Sequence, residues 1–320
     1  MSNPSSKAIR RINLQKRRTK TTEQPKKFEL PAAKLCFPAK FPDADKTKYG
    51  KTLVIAGSRS VYGAAFFAAK SALMSGAGMV RVISHVRNRL PLTRDIPEAM
   101  YSFYGLFIRR WAVKKSLRWA DTVVVGPGIS TGKTAKRLME LTLKYIKRDS
   151  ILILDADALN VLARSHKLLK TLTDLTESLN IKCVITPHKA ELMRLKKAFK
   201  IVDLDDDEAS LHIYNTYKIY VVRKGGPTVS FGEEIFLNTT GNEGMATAGS
   251  GDVLSGILGG ILFRTRECPL SIGMALAVFI HGMCGDLAVK NMNSISVNAT
   301  DIMRRIPEAL SLIEKYGEEA

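Results

Sequence analysis

Short apolar runs alternate along this chain with longer stretches of helical period. Residues 52–57 (TLVIAG) form an apolar run that ends on a glycine, as a buried strand does. Residues 63–75 (GAAFFAAKSALMS) carry helical periodicity with many alanines. Gly76-Ala77-Gly78 breaks it, and residues 79–84 (MVRVIS) read as the next strand. Strand, helix and strand at this spacing predict a parallel βαβ unit. The pattern recurs as strand 122–125, helix 131–147, strand 151–154, a helix from about Ala158, strand 183–185, a helix from His188, and strand 220–223. Residues 228–231 and 235–237 flank Gly232-Glu233-Glu234 and predict a hairpin. The last third is helical, over 251–263, 271–289 and 299–314. Together these predict an α/β fold, a three-layer α/β/α sandwich around a mostly parallel central sheet.

Composition changes this picture only at the N-terminus. Residues 1–27 hold nine Lys or Arg and one acid, Glu23, with few large apolar side chains. They predict a basic, disordered tail over 1–47, followed by one domain over 48–320. The net charge of +19 suggests nucleic acid. Its concentration in the tail restricts that to weak attraction to RNA or anionic surfaces, with a merely solubilising tail as the plainer reading. The tail lacks the apolar block of a secretory signal and is only partly Arg- and Ser-rich for a transit peptide. No apolar run reaches the length of a membrane span, so no membrane partner is expected. The four cysteines, Cys36, Cys183, Cys268 and Cys284, form no CxxC pair. That argues against zinc and disulfides and suits a reducing cytoplasm.

Ligands of an open parallel sheet bind beyond the carboxyl ends of its strands. Those ends carry Gly57-Ser58, Gly126-Pro127-Gly128, Asp155-Ala156-Asp157, Thr186-Pro187-His188 and Lys224-Gly225-Gly226. Singly, each glycine reads as a turn; five such clusters predict a shared crevice. Residues 128–134 (GISTGKT) imitate a phosphate-binding Walker loop, but Pro127 stands where its first glycine belongs. Residues 76–78 and 126–128 lack the third glycine of a dinucleotide fingerprint. His188 and Glu191, one helical turn apart, lack a third zinc ligand. His281 lies in an apolar helix, either as a core histidine or as a catalytic one.

The most informative stretch is 242–260, NEGMATAGSGDVLSGILGG. Gly249, Ser250 and Gly251 lead into a helix start, where free amides and the helix dipole attract phosphate. Asp252 follows at once. An anion hole beside a carboxylate suits phosphoryl transfer to a hydroxyl, with Asp252 taking the hydroxyl proton. Lys224, Gly225, Gly226 and Thr228 would flank the nucleotide.

These residues resemble the ribokinase-like superfamily, whose Gly-x-Gly-Asp anion hole GSGD matches. More narrowly, the chain resembles the NAD(P)H-hydrate dehydratases. The matching blocks are VIAGSRSVYGAA (54–65), SGAGMVRV (75–82), VVVGPGIS (123–130), LDADALN (154–160), ITPHKAEL (185–192), VVRKGGPT (221–228) and 242–260, with HG at 281–282 and ATDI at 299–302. They cover roughly 48–312, in order.

The resemblance implies repair of NADH or NADPH that has gained water across a ring double bond. The hydroxyl of (S)-NADHX or NADPHX is phosphorylated and phosphate is then eliminated, leaving NADH or NADPH, AMP and phosphate. Asp252 would contact the hydrated nicotinamide and act as base. Ala65, Gly128 and His188 would contact the hydrated dinucleotide. Lys224, Gly225, Gly226, Pro227 and Thr228, with Gly249, Ser250 and Gly251, would bind the nucleotide. TPH and GMATxGSGD are similar to the branch that uses ADP rather than ATP; Mg2+ is implied beside it. A homo-oligomer, as in tetrameric members, and a separate NAD(P)HX epimerase are implied partners. Tyr62 where many members have Thr, and Lys189-Ala190 where many have Pro-Gly, leave the substrate contacts open. The same anion hole would also serve a vitamin-precursor or sugar kinase of this fold.

Overall fold

The computed structural model describes residues 24–38, 45–290 and 292–318. In chain order its first half runs β1 (Lys26–Phe28), α1 (Leu30–Leu35), β2 (Lys51–Ile55), α2 (Gly63–Met74), β3 (Met79–His85), α3 (Arg89–Asp95), β4 (Met100–Tyr104), α4 (Arg110–Trp119), β5 (Thr122–Val125) and α5 (Lys133–Tyr145). The middle runs β6 (Ile151–Leu154), α6 (Asp157–Ala163), α7 (His166–Ser178), β7 (Lys182–Ile185), α8 (Lys189–Phe199), α9 (Asp206–Tyr217) and β8 (Ile219–Arg223). The hairpin β9 (Val229–Phe231) and β10 (Ile235–Asn238) follows, then α10 (Ser250–Arg264), α11 (Leu270–Val289), α12 (Ala299–Arg304) and α13 (Ile306–Lys315).

Ten strands form one sheet in the order β1-β10-β9-β8-β7-β6-β5-β2-β3-β4. Only β9 runs against its neighbours among the described strands. The central strands β2, β5, β6 and β7 are buried along nearly their whole length because both sheet faces are covered. Val54, Val82, Val124 and Ile153 point into one core, with α2 and α10 to α12. Leu53, Ile55, Val123 and Leu152 point into the other, with α4 to α8. The strand order reverses between β2 and β5, so the crevice of this fold lies beyond their carboxyl ends. Gly57 N donates to Pro127 O (2.8 Å) and ties the two loops together there.

Helix α10 explains the small residues of 250–264. Nearly every residue is buried, and it crosses α2 at very short range. A Cβ on Gly256 would lie 2.4 Å from the Ala68 carbonyl oxygen, and one on Gly260 2.7 Å from that of Ala72. Thr52 Oγ1 donates to Gly259 O (2.8 Å) and fixes α10 against β2.

Three expectations are corrected. The disordered tail was placed over 1–47, yet residues 26–35 form β1 and α1. Phe28 is buried between Phe236 and Phe279, and β1 adds a parallel strand beside β10. Residues 1–23, where most of the tail's charge lies, fall outside the described residues. The run 270–289 is long and apolar enough to span a membrane, with a mean hydropathy of 1.8, but 78% of that window is buried in the protein. The single helix read over 299–314 breaks at Arg305, because Pro307 in the first turn of α13 offers no amide to continue α12.

Candidate active site

Of the predicted strand-end clusters, those carrying Asp155, Thr186 and Lys224 meet beside the first turn of α10. Gly249 caps this helix with φ +90, a left-handed conformation that favours glycine, and a Cβ there would strike Phe67 at 2.9 Å. The turn therefore brings Ser250, Gly251 and Asp252 to the helix start; the Ser250 amide donates to Thr247 O (3.3 Å), while those of Gly251 and Asp252 lie outside the helical hydrogen-bond ladder. A Cβ on Gly251 would meet only Lys224 Nζ at 3.4 Å and Asp155 Oδ2 at 3.9 Å. Lys224 follows β8, so the lysine from one strand end faces the helix start directly.

Asp252 is largely enclosed. Burial pushes its carboxyl up to about 7; Asp155 and Asp157 add to the rise and Lys224 opposes it. Asp155, at the end of β6, is fully buried. Its Oδ1 accepts from Lys224 Nζ (2.7 Å) and Thr186 Oγ1 (2.6 Å), and its Oδ2 from Ser255 Oγ (2.7 Å). Burial works to raise its pKa, but the Lys224 ammonium and these donors prevail and hold it below the ordinary value. Burial equally works against the charge of Lys224; Asp155 and then Glu191 outweigh it and raise its pKa. A Lys224–Asp155 ion pair is thus set into the wall of the site beside an acid that titrates near neutrality.

The remaining predicted residues take varied places. Gly128 lies in the loop after β5 at φ +62. His188 caps α8: its Nδ1 accepts from Ala190 N (3.1 Å), and its backbone N donates to Glu191 Oε2 (2.9 Å). The pairing of His188 with Glu191 is therefore a helix cap. Gly225, Gly226 and Pro227 are exposed beside Thr228, whose hydroxyl bonds Gly225 O (3.0 Å). Ala65 lies on α2 within the core and has no exposed surface, so in this structure it packs rather than presents a contact. His281 sits behind the anion hole with Nε2 3.3 Å from Ser250 Oγ, and burial drives its pKa down to about 4.

Sequence reasoning noted Asp155 and Thr186 only as members of strand-end clusters and missed Ser255. The signal for Ser255 is its place one turn after Asp252, where a hydroxyl interrupts an otherwise apolar helix. Among the described residues, no group of three His, Cys, Asp or Glu side chains is placed to hold a metal.

A ten-stranded, mostly parallel sheet between helical layers, with a glycine cap and an acid at the start of α10, defines a ribokinase-like fold. Residues 52–308 match the family model described as NAD(P)H-hydrate dehydratase, and the chain belongs to that family. It is 32% identical over 301 residues to a bifunctional NAD(P)H-hydrate repair enzyme of Thermofilum pendens, covering 87% of this chain and 55% of that protein. The chain thus spans about half the length of this bifunctional relative. It is 29% identical over 284 residues to the ADP-dependent (S)-NAD(P)H-hydrate dehydratase of Listeria monocytogenes, covering 88% of this chain and 95% of that one. In fold it is similar to the ADP/ATP-dependent NAD(P)H-hydrate dehydratase of Bacillus subtilis crystallised with ATP and Mg2+. That likeness has a TM-score of 0.75 and 22% identity, covering 92% of this chain and 100% of that one.

Proposed function

We propose that this protein dehydrates (S)-NADHX and NADPHX to NADH and NADPH at the expense of ADP, releasing AMP and phosphate. The observation that carries the reading is Asp252, an acid titrating near neutrality, beside the open amides of α10 and the Lys224 ammonium. The β-phosphoryl group of ADP moves to the hydroxyl of the hydrate. Asp252 takes the hydroxyl proton while the Gly251 amide, with Lys224, receives the charge on the phosphoryl oxygens. The ring nitrogen lone pair then expels phosphate, and loss of a proton from the neighbouring carbon restores the double bond. Gly225 to Thr228 border the nucleotide; Gly128 and His188 border the dinucleotide. A homo-oligomer, a reducing cytoplasmic setting and a separate epimerase for the other hydrate epimer complete the reading. The four free cysteines support the setting.

The test is recovery of the absorbance of reduced nicotinamide when purified protein meets hydrated NADH or NADPH. Recovery with ADP, faster than with ATP, is expected. No recovery with either nucleotide defeats the dehydratase reading, and a stable phosphorylated product without recovery marks a small-molecule kinase. In the same assay kcat/KM should rise as pH passes through about 7, because only ionised Asp252 can accept the proton. A flat profile between about pH 5 and 8 would remove Asp252 from that role.

A further inference from the structure

Asp155 is the most heavily bonded acid beside the site, and the steps above leave it idle. Its carboxylate is 1% exposed and held from three directions: Thr186 after β7, Lys224 after β8, and Ser255 in the second turn of α10. Its neighbour Ala156 takes φ +48, a left-handed conformation disfavoured for alanine, as the chain turns from Asp155 into α6. Ser255 belongs to the same helix as Asp252, so one carboxylate braces both the helix that carries the base and the lysine that faces it. Lys224 Nζ makes its hydrogen bond with Asp155 and stands at ion-pair distance, 3.8 Å, from Glu191. Its ammonium lies 3.4 Å from where a Gly251 Cβ would stand, beside the first turn of α10.

We propose that Asp155 is a positioning residue that holds the Lys224 ammonium against the first turn of α10, so that lysine and helix amides receive the transferring phosphoryl group together. The inference rests on the phosphoryl-transfer reading above. A lysine on a flexible stem gains precision from a buried, fully bonded partner. The charged groups facing Asp252 are Asp155 from the end of β6, Asp157 from α6 and Lys224 from the end of β8. Glu191 of α8 faces Lys224, and His281 of α11 is neutral behind Ser250. Removing the charge of Asp155 leaves Lys224 as the stronger influence on Asp252, so the base should ionise at lower pH.

The experiment compares kcat, KM for ADP and the pH profile of kcat in wild type, Asp155→Asn, Lys224→Met and the double variant, with hydrated NADH and ADP. Asp155→Asn is expected to lose about 10- to 100-fold in kcat with KM for ADP nearly unchanged. The acidic limb of its profile should move to lower pH by about one unit, which a purely structural role would not produce. The double variant should be no slower than Lys224→Met alone, because Asp155 acts through that lysine. Should Asp155→Asn fail to fold, the comparison of the double variant with Lys224→Met still decides. Wild-type kcat in Asp155→Asn, an unmoved acidic limb, or multiplying losses in the double variant overturns the inference while leaving the proposed function standing. No turnover by wild type overturns both.

Discussion

Asp252→Asn is expected to lower kcat by about 10²- to 10⁴-fold while the affinity for ADP stays nearly constant. The base acts only as the hydroxyl loses its proton, so its removal raises the barrier without touching nucleotide binding. The fold should survive. The carboxyl of Asp252 is raised from its ordinary 3.8 to about 7. The folded protein therefore holds this proton where the unfolded chain has released it, and stability falls as pH rises from about 4 to 7. At pH 8 that ionisation cost is fully present in wild type and absent in the amide variant. Asp252→Asn should thus melt no lower than wild type at pH 8. Equal losses of kcat and ADP affinity, or a lower Tm at pH 8, would make Asp252 structural.

The largest effect on stability is expected at Gly256, where α10 crosses α2. Gly256→Val places a branched side chain where the Ala68 carbonyl oxygen lies 2.4 Å and Ser71 Cβ 2.6 Å from the first added carbon. Neither neighbour is the free end of a flexible chain, so α2 and α10 must separate. Overpacking of this kind costs on the order of 3 kcal/mol, a fall in Tm of roughly 6 °C or more for a domain of this size. Activity should fall with it, since α10 carries the anion hole. Gly132→Ala is the control: its added carbon meets nothing within 4 Å, so its cost should stay within about 1 kcal/mol at a helix N-cap. Equal melting of Gly256→Val and wild type would contradict the close crossing of the two helices.

The elements that the sequence predicted well are those with both faces covered. LVI, VVV and ILIL are apolar at every position because each lies between two helical layers, so no alternation has to be decoded. The strands that escaped lie at the sheet margins. In β4 only Tyr104 is fully buried, so MYSFY shows no apolar run. In β1 two lysines precede the one buried side chain, Phe28, so the basic composition conceals it. The same division holds in the site. GSGD is legible because the glycine cap, the amides and the acid are consecutive and need no tertiary contact to be understood. Asp155 was visible as a strand-end acid, but its partners are 31, 69 and 100 residues away. Convergence of that kind is set by strand order, which local sequence does not carry.

The central claim is that the hydroxyl oxygen of the hydrate becomes a phosphate oxygen before it leaves. Hydrated NADH carrying 18O in that hydroxyl, turned over once with ADP and analysed by mass spectrometry, tests it directly. Phosphorylation followed by C–O cleavage places the label in inorganic phosphate; label recovered in water would contradict the account.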